Sequence, residues 1–305
     1  MQPLLTRRDT LALAALATAT TLLPRMVLAE AISIGEASVT PVLDGTFALT
    51  PDLMPTLDAE GFAAALAAGG AGAEGGAFMA PVNAYLVRTG GRTILIDAGG
   101  SPAFAPTMGA LDERLTDLGV ALADIEAVVM THLHPDHTGG LLGPDGAAFP
   151  NAEIVVAEGE LAHWTDPATR AALPEPMRPL VDALNAALAP YEGRVRTFAG
   201  EAEVMPGLVP VPLPGHTPGH TGYRLADGDD ALLIWGDVVH AAPIQMANPR
   251  AFVAYDSDPQ MAVETRLRVL DMAAADGLRI AGMHVPPGVH RVERAGEAYA
   301  LIADG

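Results

Sequence analysis

The chain has 305 residues, no cysteine, and 17 Lys+Arg against 37 Asp+Glu, a formal charge of −20. Every cationic residue is arginine, which excludes Schiff-base chemistry, and the lack of thiols excludes disulfides, thiolate metal ligands and cysteine nucleophiles. A field of this sign repels phosphodiester backbones, so a nucleic-acid partner is not expected, and a neutral or cationic small-molecule substrate fits better.

In chain order, the first signal is an address. Thr6-Arg7-Arg8-Asp9 carries a twin arginine, and an uncharged apolar stretch runs over residues 11–23. That stretch is shorter than the ~20 residues of a spanning helix. Small residues follow at Val27-Leu28-Ala29. Residues 1–29 therefore read as a twin-arginine-type signal peptide. The protein is expected to be periplasmic or secreted, with no membrane attachment once the segment is removed. Residues 30–305 then keep 14 arginines against 36 acidic side chains and read as one domain with a single large core.

Residues 62–78 are rich in Ala and Gly and read as a mobile surface loop near a pocket mouth. The apolar run 93–97 reads as a strand, closed by Ala98-Gly99-Gly100. A helical pattern covers 108–118. Residues 125–130 form another short apolar run, a buried strand by length and β-branching. Strand patterns recur at 154–157, 208–213, 231–235 and 278–283. Helical patterns cover 158–164, 177–188 and 259–275, the last opened by Pro259. This mixed order predicts an α/β layered fold.

Several of these strands end in chemistry. After 125–130 comes Thr131-His132-Leu133-His134-Pro135-Asp136-His137-Thr138-Gly139-Gly140. His132, His216, Asp237 and His284 each follow a strand end, where α/β sheets place their sites. His132, His134 and His216 are expected to bind one metal ion. Asp136, His137 and His284 would bind a second, with Asp237 bridging the two. Within Pro214-Gly215-His216-Thr217-Pro218-Gly219-His220, either histidine could serve; His216 is preferred because it comes first after the strand. Imidazole and carboxylate without sulfur suit two divalent ions, zinc first, with manganese, iron or cobalt as alternatives. Two ions ~3.5–4 Å apart could share a water and lower its pKa towards ~7. Asp136 and Asp237 are the expected catalytic carboxylates, and Asp136 could also relay a proton to the leaving group. His163, His240 and His290 read as structural or as supporting the ligands.

The decapeptide 131–140, the 215–220 segment, Gly236-Asp237 and His284 together resemble the metallo-β-lactamase superfamily over nearly all of residues 30–305. The resemblance implies a four-layer αββα sandwich with a dinuclear site at one edge. The β-lactamases themselves fit poorly: one branch needs a cysteine, and the others lack a carboxylate at Asp237. Flavodiiron relatives usually carry Glu at His134. Phe149-Pro150-Asn151-Ala152, Trp164, the 235–240 run and Asp256-Ser257-Asp258 are most similar to the exported methyl parathion hydrolase-like and lactonase group. That resemblance implies that Asp97 orients a metal-bound histidine and that Trp164 lines an apolar substrate pocket. Related enzymes are often homodimers. The expected function is an exported dinuclear metal-dependent hydrolase that opens lactones or cleaves esters of small apolar molecules. The alternatives are a phosphotriesterase and a non-catalytic or redox metal-binding protein. Few aromatics flank the expected pocket in sequence, which weighs against an aryl phosphotriester.

Overall fold

Short β-branched runs become strands, and Asp- or Pro-opened stretches become helices, in a computed structural model that describes residues 30–304. The expected signal segment, residues 1–29, lies outside the described residues. The first half holds β1 (Ile32–Ile34), β2 (Ala37–Leu49), α1 (Ala59–Ala68), β3 (Phe78–Thr89), β4 (Arg92–Ile96), α2 (Leu111–Asp117), β5 (Ala127–Val129) and α3 (Pro135–Thr138). A small hairpin of β6 (Leu142–Gly143) and β7 (Gly146–Ala147) follows, then β8 (Glu153–Ala157), α4 (Glu158–Thr165), α5 (Pro167–Ala172), α6 (Arg178–Leu188) and β9 (Val195–Phe198). The second half holds β10 (Val209–Pro212), β11 (Thr221–Asp227), β12 (Asp230–Ile234), α7 (Ala242–Gln245), α8 (Pro259–Asp276), β13 (Arg279–Ala281), β14 (His290–Ala295) and β15 (Ala298–Ala303).

Two mixed sheets form, in the orders β1-β2-β3-β4-β5-β8-β9 and β10-β11-β12-β13-β14-β15. Between them lies an apolar layer: Tyr85, Ile94, Ile96, Val129 and Val155 of the first sheet meet Tyr223, Leu225, Leu232, Ile234 and Ala281 of the second. The outer face of the first sheet packs Leu95, Val128 and Ile154 against Leu115 of α2 and Leu184 of α6. The outer face of the second packs Leu233 and Ile280 against Val269, Leu270 and Ala273 of α8. Alternation along each strand feeds both layers, since successive side chains point to opposite faces. The result is the expected αββα sandwich.

Parallel pairing runs from β4 to β5 in the first sheet and from β12 to β13 in the second. The carboxyl ends of β4, β5, β12 and β13 therefore open at one edge of the sandwich. Asp97, His132, Asp237 and His284 follow those four ends within three residues.

Residues 62–78 differ from expectation. Their first part belongs to α1, because alanine is the strongest helix former and Asp58 caps the helix by accepting from Gly61 N–H at 2.8 Å. Phe62 and Leu66 are fully buried and pack with Leu49, Met54, Ile244 and Val253. Gly69 sits so close to Pro243 that a Cβ would stand 2.3 Å from its carbonyl oxygen. The expected helix at 108–118 begins only at Leu111, because Asp44 gathers the preceding loop. Its carboxylate accepts from Gly100, Gly109 and Leu111 N–H at 2.9–3.1 Å.

A packed α1 has a measurable consequence. Phe62→Ala is expected to lower the unfolding free energy by about 3–5 kcal/mol in a denaturant titration. An unchanged midpoint would mean that this segment does not pack.

Candidate metal centre

The loop after β5 turns His132 and His134 towards the sandwich edge, and the 214–220 loop brings His216 to meet them. His216 Nε2 lies 3.2 Å from His132 Nε2 and 3.0 Å from His134 Nδ1. Three imidazole nitrogens thus converge on one point. Such a convergence of imidazole nitrogens matches the donor geometry of a metal site.

The turn after Pro135 forms α3 and delivers Asp136 and His137 to a second cluster with Asp237 and His284. His284 Nε2 lies 2.9 Å from Asp237 Oδ2 and 3.4 Å from Asp136 Oδ2. His137 Nε2 lies 3.3 Å from Asp237 Oδ2 and 3.5 Å from Asp136 Oδ2. Asp237 Oδ2 also stands 3.3 Å from His216 Nε2 and 3.6 Å from His132 Nε2, so one carboxylate oxygen touches both clusters. His137 Nε2 and Asp237 Oδ1 are buried and find no hydrogen-bond partner among the described residues. Orphaned buried polar atoms of this kind call for a ligand. The donor set fits two divalent ions; His132, His134 and His216 would hold one, and Asp136, His137 and His284 the other.

Four of the imidazole donors, His132, His137, His216 and His284, are braced from behind. Asp97 accepts from His137 Nδ1–H at 2.7 Å, Thr131 N–H at 2.7 Å and the Thr131 hydroxyl at 2.6 Å. Among the described residues it is the one non-glycine with positive φ, 57°, a region that Asp tolerates better than most. The same Thr131 hydroxyl lies 3.0 Å from His132 Nδ1. His284 Nδ1–H donates to the Pro81 carbonyl at 2.7 Å. His216 Nδ1–H donates to Asp256 at 2.8 Å. Such partners fix ring orientation and raise ligand basicity.

All seven expected ligands come together, Asp97 reaches His137, and Trp164 lines the adjoining cavity. Of the two histidines of the 214–220 segment, it is His216 that lies among the other donors. His220 turns away from the clusters: its Nδ1–H donates to the Leu213 carbonyl at 2.8 Å, and its Nε2 accepts from Asp237 N–H at 2.9 Å. It holds the backbone of Asp237. Gly236 is needed there, since its φ is +61° and a Cβ would stand 2.3 Å from His220 Nε2.

Three features escaped the sequence reading. Asp256 was visible only as part of a motif, without a role. Nothing in the sequence singles out Glu160, an acid in the first turn of α4. His240 read as structural or as supporting the ligands; it stacks on His284 at 5.1 Å, with Nε2 3.2 Å from Asp237 Oδ2. No hydrogen-bond partner for either of its ring nitrogens is found among the described residues. The Asp-x-x-His spacing of Asp237 and His240 was the available signal.

Burial and charge set the protonation. Burial holds His132 and His134 well below the usual histidine range, with neighbouring imidazoles adding to the effect. Burial also pushes His220 down to about 3 and His240 to about 4. His216 feels the same burial, but its hydrogen bonds to Asp237 and Asp256 outweigh it and push the ring up to about 9. For His137, too, burial is outweighed by surrounding carboxylates, Asp237 first, which raise it well above the usual range.

A cavity of about 650 Å³ opens on the clusters. Its floor is His134, Asp136 and Asp237; its walls include Phe47, Leu53, Phe104, Trp164, Leu180, Leu184 and Tyr255, and no arginine lines it. The expectation of few aromatics is corrected here. Four aromatic rings reach the cavity, from β2, the loop before α2, α4 and the segment before α8, positions far apart in sequence. Residues 62–78 do not line the cavity; α1 packs behind it.

Residues 79–284 match the metallo-beta-lactamase superfamily, and the chain belongs to it. A hydrolase of the beta-lactamase superfamily, AbOPH, superposes with a TM-score of 0.84 at 32% identity, covering 90% of this chain and 97% of that one. AidC, a dizinc quorum-quenching lactonase solved with its product, superposes with a TM-score of 0.82 over 90% of this chain and 97% of its own, with 23% identity, which speaks for the fold alone. The N-acyl homoserine lactonase AiiB of Agrobacterium fabrum is 39% identical over 100 residues, 27% of this chain. The chain spans 34% of AiiB and 61% of the Bacillus subtilis protein YobT.

Metal analysis after dialysis checks the two clusters. The protein is expected to retain two divalent ions, His134→Ala one, His284→Ala one, and His163→Ala two. Full retention of two ions by His134→Ala would overturn the first cluster. Because His216 carries a proton up to about pH 9 in the metal-free chain, a cation must displace that proton. Competition with a chelator is therefore expected to show weaker ion binding at pH 6 than at pH 8; the opposite order would contradict the ligand role of His216.

Proposed function

We propose that the protein is an exported, dinuclear metal-dependent hydrolase that opens lactones or cleaves esters of small apolar molecules. The observation that carries this reading is the cavity: apolar walls end directly on His134, Asp136 and Asp237, and no arginine lines them. Away from the floor, a substrate tail bearing carboxylate or phosphate charge would find no arginine to pair with. Neutral carbonyl compounds are accommodated.

Two divalent ions held by the clusters would supply Lewis acidity and a water acidified towards neutral pH. The chain's own residues do the rest. The apolar walls desolvate the acyl group and hold it over the floor. Asp136, buried but facing the cavity, is placed to carry a proton to the leaving alkoxide. Asp97 and Asp256 hold His137 and His216 in fixed orientations, so little reorganisation is needed during reaction.

A phosphotriester is the second reading, favoured by the four aromatic rings of the cavity, which suit an aryl leaving group. Such a triester is also neutral. Export rests on the twin arginine of residues 7 and 8; replacing both by Lys is expected to keep the protein in the cytoplasmic fraction, and unchanged export would remove that part of the proposal.

A substrate panel tests the hydrolase. The zinc-, manganese- or cobalt-loaded protein is offered an acyl-homoserine lactone, an aryl lactone, an aryl ester and a methyl phosphotriester. Lactone or ester turnover that disappears with a chelator and returns with metal is expected. Asp237→Ala is expected to lower kcat/KM by about 10³-fold, roughly 4 kcal/mol. A hundredfold preference for the phosphotriester (roughly 2.7 kcal/mol) would promote the second reading. Two bound ions with no turnover on any compound would contradict catalysis and favour a binding or redox role.

A further inference from the structure

Glu160 is fully buried in the first turn of α4, outside both donor clusters. A buried carboxylate is costly unless its lone pairs are met, and here all four positions are used. Oε1 accepts from Leu133 N–H at 2.9 Å and from the Trp164 indole N–H at 2.8 Å. Oε2 accepts from the Thr217 hydroxyl at 2.7 Å and from Gly219 N–H at 2.9 Å. None of these donors is cationic.

The partners matter more than the number. Leu133 lies between His132 and His134, on the loop from the first sheet. Thr217 follows His216, on the loop from the second sheet. Gly219 lets that loop lie directly on α4: a Cβ there would stand 2.4 Å from Glu160 N. Trp164 meets His134 edge-on at 5.3 Å and lines the cavity. One carboxylate therefore spans the seam between the sheets at the point where His132, His134 and His216 converge.

We infer that Glu160 is a positioning residue that fixes the spacing between the His132/His134 loop and the His216 loop and links the cavity wall to both through Trp164. The inference rests on reading these three histidines as a cation site. The other cluster has separate braces, Asp97 and the Pro81 carbonyl, so the effect of Glu160 falls on one ion.

The test uses Glu160→Gln, whose amide turns an N–H towards at least one of the four donors. The zinc-loaded protein is dialysed against graded chelator, and ions per chain are counted. One ion is expected to leave at about 10–100-fold lower chelator than from the unaltered protein, while the second stays. Combined with His284→Ala the variant is expected to lose both ions; combined with His134→Ala it should match His134→Ala alone. Should Glu160→Gln fail to fold by circular dichroism, Thr217→Val, which removes one donor, carries the same test. Trp164→Phe is expected to keep both ions and raise KM. Simultaneous loss of both ions, or chelator sensitivity identical to the unaltered protein, would overturn the role of Glu160 while leaving the metal centre standing. An unaltered protein that binds no zinc would instead remove the metal centre, and this inference with it.

Discussion

A single oxygen, Oδ2 of Asp237, lies within 3.6 Å of ring nitrogens from five histidines: His132, His137, His216, His240 and His284. So many ring nitrogens gathered around one buried carboxylate oxygen form a donor set that suits divalent cations. The rest of the fold can be understood as the means of keeping that crowd in place. His220 clamps the Asp237 backbone from one side, and Gly236 makes room for it.

Around this centre the braces are themselves buried carboxylates. Asp97 orients His137, Asp256 orients His216, Glu160 joins two ligand loops, and Asp44 holds the loop that leads into α2. Each compensates its desolvation with backbone or side-chain donors, as buried charge requires. Arg266 belongs to the same logic: its guanidinium donates to the carbonyls of Val238, Pro249 and Ala251, tying α8 to the segment that carries His240. Rigidity at the floor contrasts with the apolar cavity above it, where shape and desolvation select the substrate.

Much of this was legible in the sequence. The His-x-His-x-Asp-His run follows an apolar strand, and His216, Asp237 and His284 follow three others, so the pattern of strand ends brought out the seven side chains that the structure gathers. The central strands were legible because they are short, continuous and β-branched. The long β2 and β3 were less so: they carry Pro41, Pro81, Gly45 and Asp44, and their pairing is nonlocal, with a register shift between Leu43 and Gly45. α1 was missed because glycine-rich sequence beyond it masked a good alanine helix. Glu160 and the aromatic walls were illegible for a different reason: their roles exist only where segments distant in sequence meet. His240 was legible only in part: it read as structural or as supporting the ligands, and the Asp-x-x-His spacing to Asp237 was the local signal for its place beside them.

The most direct measurement is anomalous diffraction from crystals of the zinc-loaded protein. Two peaks ~3.5–4 Å apart are expected, with Asp237 Oδ2 between them, His132, His134 and His216 on one and Asp136, His137 and His284 on the other. A single peak, or two peaks with Asp237 bound to neither, would contradict a dinuclear centre bridged by Asp237.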